Sequence, residues 1–224
     1  MPKLALTRIR QYWKTKIELF GDNAFHPLSA HDLSAQDMEC LQLGGLIILP
    51  GKDRAGRALL FSDRSKWEFR STHRTSFARA YWFAIHQALL DVETQKKGIV
   101  LIVYNSQPFT ASQFDRKTSN LIVGGTFHVL PVRLAATHLT IQSRVFNLVL
   151  PFIFWAMGKE ARRKFFHHMG SKALILEQLG TDFGIPTSHL PREFGGTLDF
   201  DYGRWVAETL WAQGIAFTPT PGAI

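Results

Sequence analysis

Apolar positions along this chain follow two periods. Leu6, Ile9, Trp13, Ile17 and Phe20 recur every three or four residues, which is the spacing of one helix face. Phe77, Tyr81, Ala84, Ile85, Ala88 and Leu89 follow i, i+4, i+7 and i+8, the stripe of a helix packed on a core. Elsewhere the apolar residues are contiguous. Gly45 to Pro50 and Arg57 to Phe61 predict two short strands, and the turn chemistry of Lys52-Asp53-Arg54-Ala55-Gly56 predicts a hairpin between them. Ile99 to Tyr104 is an unbroken β-branched and apolar run, expected of a strand buried on both faces. Leu134 to Ile141 and Phe165 to Met169 predict two further strands. A short helix within residues 21–43 takes Ser34 as N-cap. Further helices are predicted from Ser112 to about Val123, from a Ser171 cap through Leu179 with Gly180 as its stop, and over about 201–213 before Gly214. Strands that alternate with helices imply an α/β domain with a mostly parallel sheet. The expected organisation is an N-terminal helical extension over 1–43, one domain over 44–213 and a loose tail over 214–224.

One segment fits neither period. From Val145 to Met157 only Asn147 and Pro151 are not apolar. The run falls well short of the ~20 residues that span a bilayer. Basic residues flank it, with Arg144 before and Lys159, Arg162, Arg163 and Lys164 after. A helix that is apolar all round is buried or touches something greasy. It reads either as an ordinary core helix or as a lid over an apolar cavity beside an anionic surface.

Composition narrows the choice. The chain has 224 residues, 46% of them hydrophobic, with 18 Phe and 6 Trp, and can bury a sizeable core. A formal net charge of +8 points to an anionic partner: nucleic acid, membrane surface or acidic ligand. The lone Cys40 excludes an intrachain disulfide and a thiolate-rich zinc site, and suits a reducing compartment. Lys3, Arg8, Arg10, Lys14 and Lys16 precede the first acid, Glu18. That basic helix suits a membrane surface or an organelle signal; the plainest role is docking on the domain with its charges in water.

The chemistry of most enzymes is missing from the sequence. It holds no Gly-rich phosphate loop, no G-x-G-x-x-G and no G-x-S-x-G nucleophile elbow. His167-His168 and His26/His31 are the close histidines, and neighbours on a strand point to opposite faces, so no metal site is expected. The expectation is a non-enzymatic protein without cofactor. The charge would also suit nucleic acid, but no zinc-finger, RNA-recognition or helix-turn-helix signature accompanies it. The basic cluster at 159–164 adjoins the apolar segment, an arrangement that suits phospholipid better than a duplex.

Six short motifs in order, from residue 45 to about 200, carry a resemblance. Asp53-Arg54-Ala55-Gly56-Arg57-Ala58 resembles D-x-x-G-R-P. Leu130-Pro131-Val132-Arg133-Leu134 resembles Y-P-E-R-L, and Ala136 to Ile141 the strand after it. Pro151-Phe152 resembles the internal Pro-Phe of a mobile gate helix. Arg162 to Gly170 is similar to a basic-then-His-Gly strand, and Leu190 to Gly196 to the closing L-P-x-x-x-G-G. Together they identify the chain as similar to the CRAL-TRIO lipid-binding family of phosphatidylinositol-transfer, α-tocopherol-transfer and retinaldehyde-binding type. Ala58 replaces the family's Pro, Tyr104-Asn105 its usual Asp, and Gln142-Ser143-Arg144 its Asn-x-Pro. Glu193 occupies a slot that is basic in phosphatidylinositol-transfer members, which argues against that ligand.

The resemblance implies a three-layer α/β domain, with about five mostly parallel strands, helices on both faces and a gate helix over an apolar pocket. It implies a monomer, cytoplasmic and peripheral at membranes, that binds a hydrophobic lipid and transfers it when the gate opens. The alternatives are a phosphoinositide-sensing recruitment module without net transfer and a nucleic-acid-binding protein. Candidate lining residues are Leu101, Val103, Phe146, Val149, Leu150, Phe152, Ile153 and Trp155. Ser106, Thr110 and Ser112 follow the central strand and suit a head group. His138 and Thr140 alternate on one face of their strand, so both are candidates for the same cavity. Lys159, Arg162, Arg163 and Lys164 are candidates for head-group or membrane contact.

Overall fold

A computed structural model describes residues 2–66, 73–106, 115–122, 124–125, 129–141, 146–148, 150–152, 154–155 and 162–216, the side chains of 2–4 excepted. Five strands form one sheet in the order β1 (Ile47–Lys52), β2 (Ala58–Asp63), β3 (Ile99–Tyr104), β4 (Leu134–Leu139) and β5 (Phe165–His167). β1 and β2 form the expected hairpin, Ile47 opposite Phe61, and every later pair is parallel. Spatial order therefore equals chain order, with a crossover between each parallel pair.

The hairpin turn is built on Asp53, whose carboxylate is fully buried. Its Oδ1 accepts from the Ala55 and Arg57 amides at 3.0 and 2.8 Å, and its Oδ2 from Arg57 Nε at 2.5 Å. A buried carboxylate needs that many donors.

Helices cover the sheet on both sides. α3 (Arg74–Ala88) buries residues on every face, because β1 lies beneath it while α1 (Pro2–Phe20), α2 (Ala35–Gln42) and α5 (Arg116–Ile122) pack around it. Ser34 caps α2 as expected, accepting from the Asp37 amide at 3.2 Å within a capping box. On the opposite face lie α6 (Lys172–Thr181) and two short 3₁₀ turns, Thr187–His189 and Arg192–Phe194. α7 (Tyr202–Trp211) is capped by Asp201, and its buried Tyr202 donates to the Leu41 carbonyl at 2.6 Å, tying the C-terminal helix to the end of α2.

One helix is unannounced by the sequence pattern, and two expectations are corrected. The polar stretch before Gly98 holds a helix, α4 (Val92–Lys97), capped by Asp91 and laced by Glu93 to Lys96 and Lys97. Its support is charge pairing rather than an apolar stripe, so hydrophobic periodicity misses it. α6 runs past Gly180 to Thr181, and the turn back is made by the Ile185 amide bonding the Leu179 carbonyl at 2.8 Å. α1 docks through Tyr12, Thr15, Lys16, Leu19 and Phe20, while Leu6, Ile9, Trp13 and Ile17 stand in solvent.

The Leu190–Gly196 motif is a tight fold-back. Gly195 has φ +100, a left-handed conformation, and caps the second 3₁₀ turn. A Cβ on Gly196 would sit 1.9 Å from the Leu190 carbonyl oxygen, so only glycine fits.

Candidate functional site

Register divides the sheet's side chains into two sets. On one face lie Leu60 and Ser62 of β2, Leu101 and Val103 of β3, Leu139 of β4, and Phe165 and His167 of β5. Tyr81 of α3 donates to Ser62 Oγ at 3.0 Å, which puts α3 on this face. On the other lie Phe61, Asp63, Ile102, Tyr104, His138 and Phe166, against Phe183 and Phe194.

The apolar segment packs on the α3 face. Its described residues at 146–148, 150–152 and 154–155 are helical on both sides of Pro151. Phe146 and Leu150, one turn apart, are buried with Leu139 and Ile141, and Val103, Phe154 and Phe165 pack against them. Among the described residues this cluster is distinct from the main core, to which Leu101 belongs, and Val103 packs against both. Phe154 meets Phe165 edge to face at 5.1 Å. Phe152 is half-buried beneath the Arg116 guanidinium of α5, 4.9 Å from the ring centroid, and stands 6.0 Å from Trp155. Leu148, Pro151 and Trp155 point to water. Among the described residues of the segment, Phe146 and Leu150 thus face the sheet while Asn147, Leu148, Pro151 and Trp155 are exposed.

A polar cluster marks the carboxyl ends of β2 and β3. The buried Asp63 Oδ1 accepts from the Ser65 amide at 2.9 Å, the Ser65 hydroxyl at 2.7 Å and the Ser106 amide at 3.1 Å, and the two serine hydroxyls are bonded to each other. Ser106 was expected; Asp63 and Ser65 were not, although an acid closing one strand beside a serine after its neighbour was a usable signal. Ligands of parallel sheets gather at strand carboxyl ends. The hydroxyl of Thr140 donates to the Val103 carbonyl at 3.0 Å, a backbone bond that occupies its proton.

His138 lies on the sheet face opposite Val103 and the apolar segment. Its Nδ1 is 2.9 Å from His168 Nε2, and His168 Nδ1 is 3.1 Å from Gln178 Oε1. The Gln178 oxygen accepts, so His168 Nδ1 donates and its Nε2 accepts; His138 Nδ1 is then the donor. Phe166 stacks on His138 at 5.4 Å and Phe183 meets it edge-on at 4.4 Å. Burial, with His168 and Arg57 adding like charge, pushes the His138 imidazole down to about 3. Burial also lowers His168, against its bond to Gln178. Both rings are neutral at physiological pH.

The structure therefore brings Val103, Phe146 and Leu150 together, sets Phe152 and Trp155 along the same segment, and separates His138 from all of them. Arg162 and Arg163 are exposed just before β5, and Lys164 is half-buried. Thr110, Ser112, Val149, Ile153 and Lys159 lie outside the described residues. Among the described residues no three metal-binding side chains converge, and no helix is long and apolar enough to cross a membrane.

The CRAL/TRIO domain model matches residues 42–196, more than half of the chain. The chain belongs to the CRAL/TRIO family. Family members are lipid-binding and lipid-transfer proteins rather than typical enzymes. Proteins named alpha-tocopherol transfer protein-like, from Mus musculus and Homo sapiens, are each 28% identical over 178 residues. The match takes in 78% of this chain and 50% of theirs, so the chain spans about half the length of these relatives. A crystal structure of Sfh5 superposes with a TM-score of 0.54 at 14% identity, covering 78% of this chain and 67% of that one, which shows a shared fold.

Within the CRAL/TRIO pattern, two departures are accommodated by packing, and Gln142-Ser143-Arg144 lie outside the described residues. Ala58, in the place of the family's Pro, donates its amide to the Gly98 carbonyl at 3.3 Å, a bond proline cannot make. Tyr104, where Asp is usual, packs edge-on against Phe194 at 5.0 Å and donates to the Glu193 carbonyl at 3.2 Å. Lys172 Nζ reaches that same carbonyl at 2.9 Å. The Asp53 turn and the Leu190–Gly196 fold-back are thus fasteners of the fold, while the Pro151-Phe152 motif lies in the candidate site itself.

Proposed function

We propose that this chain is a non-enzymatic lipid carrier. A hydrophobic lipid lies between the β3–β5 face and the apolar segment, contacting Val103, Phe146, Val149, Leu150, Phe152, Ile153 and Trp155. The segment acts as a gate that opens at an anionic membrane. The observation that supports this is the second apolar cluster, which among the described residues meets the main core through Val103 and lies beneath a segment that leaves Leu148 and Trp155 exposed. Acyl or isoprenoid surface kept dry gains about 25 cal/mol per Å², so such a site holds lipid without ionic contacts. Ser106, bonded to Asp63 and Ser65, offers a polar contact for a head group, and Thr110 and Ser112 follow it in sequence.

The test is native mass spectrometry of protein purified without detergent. A stoichiometric lipid, lost in Phe152→Asp with the fold retained, is the expected result and names the ligand class. Protein that is empty and also extracts nothing from mixed vesicles sinks the carrier reading. A second reading draws on Arg162 and Arg163, exposed beside the segment: a phosphoinositide-sensing recruitment module. Transfer kinetics between vesicles separate the two, since a sensor binds donor membrane without moving lipid to acceptor.

A further inference from the structure

α1 buries the more polar of its two long faces. Tyr12 stacks on Trp82 at 5.6 Å and its hydroxyl bonds His86 Nε2 at 3.2 Å. Arg8 donates to the Val132 carbonyl at 3.1 Å and Lys16 to the His26 carbonyl at 2.7 Å. Leu6, Ile9, Trp13 and Ile17 form a continuous row on another side of the helix, each 40–50% exposed. Phe25, 70% exposed, lies 6.2 Å from Trp13 with its ring nearly parallel, and widens the row. At 3.6 residues per turn, this row is roughly a third of a turn away from the docked face. An apolar row that the fold itself leaves outside marks a contact surface.

The charge beside the row says what it meets. Arg10 and Lys14 are exposed along one edge, Lys14 with its Nζ 3.9 Å from Glu18, the first carboxylate of the sequence. A basic, acid-poor helix with a Trp-bearing apolar face is built to lie in a bilayer interface. α1 packs on α3, on the same side of the sheet as the apolar segment with its exposed Leu148 and Trp155. We propose that α1 is a second membrane-contact element, lying on an anionic bilayer with Leu6, Ile9, Trp13, Ile17 and Phe25 at the acyl boundary and Arg10 and Lys14 on lipid phosphates. This goes beyond the carrier reading and does not require a loaded pocket.

The experiment is flotation of the full chain with vesicles of phosphatidylcholine, with and without phosphatidylserine. Ile9→Glu/Trp13→Glu is expected to weaken binding to both vesicle types about tenfold or more, with bound lipid unchanged. Arg10→Glu/Lys14→Glu, at two exposed sites that leave packing intact, is expected to weaken binding about tenfold on the anionic vesicles alone. Wild-type flotation of both variants overturns the proposal. So does a dimer in sedimentation that Ile9→Glu/Trp13→Glu dissociates while flotation is unchanged, since the row is then covered by a second copy. A carrier failure is read separately: wild-type protein that floats but never holds lipid leaves α1's role standing.

Discussion

His138 and His168 sit in a shell of aromatic rings with Gln178 as their terminal acceptor, so the native state holds both neutral. The native His138 imidazole titrates near 3, while an unfolded histidine titrates near 6.5. Between those values the unfolded chain binds the extra proton. Stability is therefore intact above pH 6.5 and falls as pH drops toward 3, by about 1.4 kcal/mol per pH unit for this group. Thermal melts from pH 7.5 to 4.5 are expected to show a flat upper limb and a steep acid limb. In His138→Phe the ring still fits against Phe166 and Phe183, and the acid limb should be shallower. An unchanged slope would assign the acid sensitivity to other groups.

At the scale of elements, the two apolar clusters should respond differently to the same deletion. Phe61 and Phe146 are both fully buried, but Phe61 belongs to the main core between Tyr104 and Phe194, and Phe146 to the small cluster under the apolar segment. Phe→Ala in a well-packed core costs about 3–5 kcal/mol. Phe61→Ala should show that full loss in urea melts. Phe146→Ala should show about half or less, because the segment can come away while the sheet stays folded. Equal losses would make the segment part of one cooperative core and remove the mechanical basis for a gate. This division was only partly legible in the sequence. Ile99–Tyr104 announces a central strand because every residue in it is apolar. A continuous apolar run cannot say which residues face which layer, so Leu101, Val103 and His138 looked equivalent until strand pairing set His138 on the far side. α4 was invisible for the opposite reason, since its stability rests on charges and a cap. The docked face of α1 was misread because an apolar stripe ordinarily seeks the core, and here it does not.

For the whole molecule, the question is what the net charge of +8 accomplishes. Arg10 and Lys14 on α1 and Arg162 and Arg163 before β5 are exposed, and each basic residue near an anionic bilayer contributes about 1 kcal/mol. Four such residues amount to about 4 kcal/mol, close to a thousandfold in affinity. That attraction is carried through water, and the screening length shrinks from about 10 Å at 0.1 M salt to about 3 Å at 1 M. The proposed lipid site would draw on burial instead, which salt does not weaken. Raising salt should therefore release the protein from phosphatidylserine vesicles while the lipid it carries stays bound, so that membrane docking and ligand retention separate in one titration. Vesicle affinity that ignores salt would mean that the charge does not orient the protein. Tighter binding to duplex DNA than to vesicles, falling steeply as salt rises, would instead assign the charge to nucleic acid. If docking and retention do separate, the basic surface sets where the protein meets a membrane, and the proposed gate and apolar cluster set what passes through it.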